Sequence, residues 1–255
     1  MKLDELKMQK EKRKIVMLTA YDFQMAKLLA KTGIDLILVG DSLGMVFMGY
    51  PNTKKVTMRD MLYHTKAVVR GAEQISVIGD MSINTCKTPS IALNNARAFI
   101  KAGAFGVKIE GYHPSVIKKL LANSIPVMGH IGLLPQTALK YHLVGKNKNE
   151  ADRILDDAIG LDKLGVFSIV LECIPAGLAQ RITKKVSVPT IGIGAGKYCD
   201  GQVLVINDLL GMDEDFKPKF VKRFANLSAL IQKSVIKFKQ EVEKGKYPDD
   251  EHTFF

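Results

Sequence analysis

The sequence predicts a closed (β/α)8 barrel, the TIM barrel, as a single domain over residues 1–255 that carries a long C-terminal helix and tail. Three observations carry this expectation. Short β-branched runs recur about eight times, each bounded by glycine, proline or aspartate, with helix-period segments between them. Most runs are apolar on both parities, as strands of a parallel sheet covered on both faces must be. The length of 255 residues suits a closed barrel of roughly 250. An open, doubly wound sheet that binds nucleotides would show a glycine fingerprint after its first strand, but that strand runs into Thr19, Ala20, Tyr21 and Asp22.

In chain order the strands are expected at 15–21, 35–40, 75–81, 106–110, 126–130, 168–173, 189–194 and 203–207. Helical periodicity is clear at 90–102 and 115–123. The eighth unit is the least regular, because 203–211 passes quickly into an acidic turn at 212–215. A lysine-rich amphipathic helix over 218–244 and an extended tail over 247–255 follow. No linker, repeat or low-complexity stretch divides the chain.

Composition removes several function classes. Cys86, Cys173 and Cys199 are odd in number and far apart, which fits reduced thiols and excludes a disulfide scaffold or a structural zinc site. No apolar run reaches the roughly 18–20 residues of a bilayer span, and the N-terminal stretch through Lys14 is charged, so a cytoplasmic protein without membrane partners is expected. The net charge of +11 invites a nucleic-acid reading. Its distribution argues for solvated helical faces instead, with Lys7, Lys10, Lys12, Arg13 and Lys14 at one end and Lys217, Lys219, Lys222, Arg223, Lys233, Lys237 and Lys239 at the other. No nucleic-acid partner is expected, although the surplus charge can attract anionic small substrates.

Barrel enzymes place their chemistry at the carboxyl ends of the strands. Four acids stand there: Asp41, Asp80, Glu110 and Glu172. A carboxylate at the end of an apolar strand is costly to bury without compensation, and four on separate strands are hard to explain as isolated helix caps. Hard oxygen donors without adjacent histidines suit Mg2+, so Asp41, Asp80 and Glu110 are expected to hold it directly or through water. The histidines never form the i, i+4 pair of a helical zinc site. Lys108 shares parity with Glu110 and belongs in the same mouth, where it could form an ion pair, hold an anionic substrate or form a Schiff base. The acids raise a lysine pKa and so disfavour the Schiff base. His130, at a strand end, could orient a substrate or be a hydrogen-bonded core residue. Gly192, Gly194 and Gly196 read as a tight turn rather than a phosphate loop, because Walker spacing is absent. Cys173, of opposite parity to Glu172, reads as inert.

Several stretches together resemble ketopantoate hydroxymethyltransferases. They are Thr19-Ala20-Tyr21-Asp22, the segment from Val39-Gly40-Asp41-Ser42 through Val46, and Gly129-His130-Ile131-Gly132 through Gln136. Leu171-Glu172-Cys173-Ile174-Pro175, Gly192 through Gly196, Cys199 through Val203, Asp208 through Gly211 and the closing Glu251-His252-Thr253-Phe254 agree as well. The resemblance implies a (β/α)8 barrel that transfers a hydroxymethyl group from 5,10-methylenetetrahydrofolate to 3-methyl-2-oxobutanoate (α-ketoisovalerate), forming ketopantoate for pantothenate and coenzyme A synthesis. It assigns Mg2+ contacts to Asp41, Asp80 and Glu110, keto acid contacts to Asp41, Ser42, Asp80 and Lys108, and proton removal to Glu172. It places His130 at a further active-site position and implies a large homo-oligomer, a decamer, with the C-terminal segment in subunit contacts. The chain departs from the family's usual pattern at Met81-Ser82-Ile83-Asn84 and at Tyr112-His113, which bears on loop shape. A Mg2+-dependent lyase or mutase of the phosphoenolpyruvate mutase and isocitrate lyase type is the alternative.

Overall fold

A computed structural model describes Lys10 and residues 12–255; Lys7, counted above in the N-terminal basic cluster, lies outside the described residues. The described residues form two compact units, divided between Val205 and Ile206. The first contains eight parallel strands in one closed ring: β1 Ile15–Thr19, β2 Leu36–Val39, β3 Ser76–Asp80, β4 Gly106–Glu110, β5 Val127–Gly132, β6 Ser168–Glu172, β7 Thr190–Ile193 and β8 Gly201–Leu204. Each strand pairs with its sequence neighbour, and β8 returns to β1. The expected barrel is therefore the observed one.

Several helices begin where the sequence offers a side-chain acceptor for the first free amides. Asp22 caps α1 (Phe23–Leu29) through Met25 N, and Thr57 and Asp60 form a reciprocal capping box at α3 (Met58–Gly71), which follows the short α2 (Leu43–Val46). Thr88, with Pro89 in the first turn, starts α4 (Pro89–Lys101); α5 is Pro114–Leu121; Asn147 caps α6 (Lys148–Leu164), and α7 is Ala176–Lys185.

Glycine fixes which strand face looks inward. A Cβ on Gly79 would meet the Phe99 ring of α4 at 2.3 Å, and one on Gly129 would meet Leu161 of α6 at 2.7 Å. Both positions therefore face the helices, and alternation sends their neighbours Ile78, Asp80, Met128 and His130 into the barrel. Ile15, Met17, Leu36, Leu38, Ile78, Met128, Val170, Ile191 and Val203 build the packed interior. The polar residues one or two steps further along the same faces emerge above it.

The eighth strand departs from expectation. It occupies Gly201–Leu204, and Ile206 already opens the helix α8 (Ile206–Leu210). Gly201 lies opposite both Ile15 and Ile191, where a Cβ would stand 2.6 Å from the Ile15 carbonyl oxygen, so a residue that reads as a turn is required in the sheet.

Within the second unit, the long helix α9 (Leu227–Glu243) starts later than the expected 218, because Asn226 supplies the cap by accepting from Ala229 N. The segment before it is held by the Arg223 guanidinium, which donates to the carbonyls of Asp213 and Phe216. The tail is not wholly extended: Asp249 caps a 3-10 turn at Asp250–His252. Among the described residues no helix is long and apolar enough to cross a membrane.

Candidate active site

The inward parity delivers polar groups to one rim. Asp41 follows β2 by two residues, Asp80 ends β3, Lys108 and Glu110 lie on β4, His130 on β5, and Glu172 ends β6. Register brings them into reach: Asp80 pairs with Lys108, and Glu110 with His130. Lys108 Nζ lies 2.9 Å from Asp80 Oδ2 and 3.2 Å from His130 Nδ1. His130 Nε2 stands 3.2 Å from Glu172 Oε2, without hydrogen-bond alignment. Glu110 Oε1 is 3.7 Å from His130 Nδ1. Ser42, beside Asp41, shares a 2.8 Å hydrogen bond with the Tyr21 hydroxyl. All seven residues singled out from the sequence thus stand at the carboxyl ends of the strands.

Gln136 was not singled out, yet it ties the cluster together. Its Nε2 donates to Asp41 Oδ2 and to the Met81 carbonyl, each at 2.9 Å, and its backbone N–H donates to Glu110 Oε2 at 3.2 Å. It sits in the irregular loop after β5, where no periodicity marks a direction. The neighbouring Pro135 speaks of a turn rather than of a site, and the stretch from Gly129 through Gln136 that resembles the family gave Gln136 no role of its own.

Four carboxylates around one ammonium make the electrostatics lopsided. Burial pushes the Asp41 carboxyl up to about 8, reinforced by Asp80 and opposed by Lys108 and Gln136. Burial likewise raises Glu110 to about 9, with Lys108 opposing and Asp41 adding. Glu172 rises to about 7 through burial, moderated by Lys108. For Lys108 burial works to lower the pKa, but the attraction of Asp80, Glu110 and Asp41 outweighs it and holds the ammonium charged. His130 is driven well below its usual value by burial and by the Lys108 charge. It is therefore neutral, with Nδ1 accepting from Lys108 and the remaining proton on Nε2.

Carboxyls kept from ionising by burial are ones that a divalent cation would return to the charged form. Asp80 Oδ1 is buried with no hydrogen-bond partner, while Oδ2 is engaged by Lys108. Among the described residues no three His, Cys, Asp or Glu groups are gathered to hold a metal by themselves. That combination suits Mg2+, which takes one or two carboxylates and completes its octahedron with water or substrate oxygens, and does not suit zinc.

The secondary expectations fare similarly. Cys173 is buried with its thiol pushed up to about 12, chiefly by burial, which agrees with an inert packing role. Gly194 and Gly196 both adopt left-handed φ, of 64° and 78°, so the glycine-rich segment is a tight turn after β7.

The ketopantoate hydroxymethyltransferase family matches residues 1–250. A 3-methyl-2-oxobutanoate hydroxymethyltransferase of Syntrophomonas wolfei subsp. wolfei is 51% identical over 252 residues, covering 96% of this chain and 91% of that protein. Proteins of the same name from Clostridium botulinum strain Langeland and Syntrophus aciditrophicus are 52% and 48% identical, covering 94% and 97% of this chain and 90% and 93% of theirs. Among solved structures, a phosphoenolpyruvate phosphomutase of Streptomyces platensis subsp. rosaceus superposes with a TM-score of 0.65 at 14% identity, covering 100% of this chain and 92% of that one. A 2,3-dimethylmalate lyase of the phosphoenolpyruvate mutase and isocitrate lyase superfamily gives 0.62 at 14% identity, covering 98% and 91%. These distant structures share the fold.

Proposed function

Because the chain belongs to the ketopantoate hydroxymethyltransferase family, we propose that it converts 3-methyl-2-oxobutanoate, 5,10-methylenetetrahydrofolate and water into ketopantoate and tetrahydrofolate. The observation that carries the reading is the cluster of buried Asp41, Asp80, Lys108, Glu110 and His130 on the barrel rim, with partly buried Glu172 beside it.

Lys108, kept charged by Asp80, offers a fixed cation to the oxygens of the keto acid, and Ser42 offers a hydroxyl oriented by Tyr21. Glu172 is the base. It takes the C3 proton; the C3–H electron pair becomes the C2–C3 double bond, and the ketone π pair moves onto oxygen. A carboxylate with a pKa of about 7 is well matched to this task at neutral pH. Neutral His130 stands between Lys108 and Glu172 and does not compete with the base for the proton. Asp41, Asp80 and Glu110 would hold Mg2+, directly or through water, and the ion would supply Lewis-acid stabilisation of the charge that develops on the ketone oxygen. General base catalysis alone gives about 10²–10⁴-fold, so this electrostatic help is required. Water adds to the folate's methylene carbon and both of its C–N bonds break, so that tetrahydrofolate departs with its two nitrogens protonated and formaldehyde remains; the enolate carbon bonds to that carbon, and its oxygen takes the proton held by Glu172 to become the new hydroxyl.

Assembly as a homo-oligomer completes the reading. It is supported by α9, which has no buried residue and exposes Leu230, Val235, Ile236 and Phe238. The test is an assay for ketopantoate with Mg2+, keto acid and methylenetetrahydrofolate, beside exchange of the C3 proton into deuterated solvent without folate. Turnover requiring all three components is expected; keto acid cleavage without folate would favour a lyase instead.

A further inference from the structure

On the Glu110 side of the mouth lies a cavity of about 470 Å3, bordered by the segments that follow β3, β4 and β5. The volume falls within the roughly 300–1,000 Å3 of small-molecule pockets. Met81, Ile83, Ile109 and Leu134 give it a largely apolar wall, with the Tyr112 ring alongside. Glu110 and Gln136 line it as well, so it adjoins the acidic cluster; Asp41, Lys108 and Glu172 do not, so it is a neighbouring space rather than the keto acid pocket itself.

Two observations point to a ligand. Ser82, a lining residue only 2% exposed, carries a buried hydroxyl with no hydrogen-bond partner. Buried polar groups normally find partners, and one left open beside a cavity is available to a bound molecule. Asn84, also in the lining, is held at a left-handed φ of 67°, a conformation that a non-glycine residue adopts at a cost and that clusters at ligand sites. Lys87 and His113 stand at the exposed side of the same cavity, where a cation can meet an anionic tail.

We propose that this cavity receives the bicyclic ring of the tetrahydrofolate co-substrate, with the Ser82 hydroxyl bonded to a polar ring atom and the glutamate tail leaving past Lys87. Apolar walls with a single buried hydroxyl suit a heterocycle, and an edge shared with Glu110 brings the one-carbon unit to the side of the keto acid. The assignment rests on the transferase reading above.

The test separates the two. Ile83→Trp fills the cavity, and Lys87→Ala removes the rim charge at an exposed position where folding is not at stake. Titration calorimetry with tetrahydrofolate reads binding, and C3 proton exchange, which needs no folate, reads the keto acid half of the site. Ile83→Trp is expected to weaken tetrahydrofolate binding by at least about tenfold while exchange continues. Lys87→Ala is expected to weaken tetrahydrofolate by about threefold or more, and to leave binding of a tetrahydropterin without the glutamate unchanged. Tetrahydrofolate binding as tight in both variants as in the parent overturns the cavity assignment alone. A parent enzyme that exchanges the C3 proton yet does not bind tetrahydrofolate overturns the transferase reading and the cavity with it. Should Ile83→Trp lose exchange as well, the Lys87→Ala comparison decides.

Discussion

Replacing Glu172 by glutamine should abolish proton removal and, at the same time, stabilise the fold in a pH-dependent way. The carboxyl is raised from 4.5 to about 7, first by burial, with Lys108 opposing. Its side chain is 12% exposed, so solvent screening takes little from the effect. A group that is a weaker acid folded than unfolded costs stability once it must ionise. The cost is absent below the unfolded value, grows as pH rises from about 4.5 to about 7, and is complete above that. At about 1.4 kcal/mol per tenfold change in proton affinity, the interval amounts to about 3 kcal/mol. Glutamine never ionises, so the variant escapes this cost. Equilibrium urea unfolding of parent and variant, followed by circular dichroism because the chain has no tryptophan, measures it at pH 4.5 and pH 8 in the presence of a chelator. The expected gain is near zero at the lower pH and about 2–3 kcal/mol at the higher. A difference that is the same at both pH values would refute the argument that burial perturbs this carboxyl, and C3 exchange undiminished in the variant would remove Glu172 from the base role.

In the parent, C3 exchange should rise with pH through about 7 and then level off, since Glu172 accepts a proton only when ionised; a rate flat from pH 6 to 8 contradicts this. Asp80→Asn withdraws the charge paired with Lys108 and an open oxygen, so Mg2+ titrations of exchange should shift to higher concentration and keto acid affinity should fall. An unchanged metal titration would mean that the ligand set is wrong. Gly79→Ala places a methyl against the Phe99 ring and should cost about 1–3 kcal/mol in unfolding experiments, part of it recovered in the double variant Gly79→Ala/Phe99→Leu. Equal stability of single and double variants would show that Phe99 is not the obstacle. Gln136→Leu leaves acceptors on Asp41 and Met81 without their donor, which should lower stability by about 1–3 kcal/mol. An unchanged unfolding midpoint would deny Gln136 its tying role.

Much of the barrel was legible because parallel strands covered on both faces carry their own signature. β2, β3, β4 and β6 fall within a residue or two of the apolar runs that announce them. β8 was not legible at its start. Gly201 is in the sheet because Ile15 of β1 leaves no room for a side chain, and a requirement set by a distant strand leaves no local trace. The start of α9 moved for a related reason: proline and lysine at 218–219 look like a helix opening, whereas Arg223 ties that segment to Asp213 and Phe216.

By itself, the sequence determined the period of each element, the parity of Lys108 and Glu110, and the placing of acids after apolar runs, since these depend only on residues close together in the chain. It pointed to a hard metal ion as well, because oxygen donors without thiolates or paired histidines suit few others, and the resemblance of its motifs supplied the reaction. Only the tertiary structure decided which atoms meet. The stagger between strands sets Lys108 against Asp80 and His130, and the path of the loop after β5 sends Gln136 to Asp41. It also decided protonation: burial and the Lys108 charge keep His130 neutral, while burial lifts Glu172 against the pull of Lys108, and both depend on depth and distance, which no stretch of sequence encodes locally.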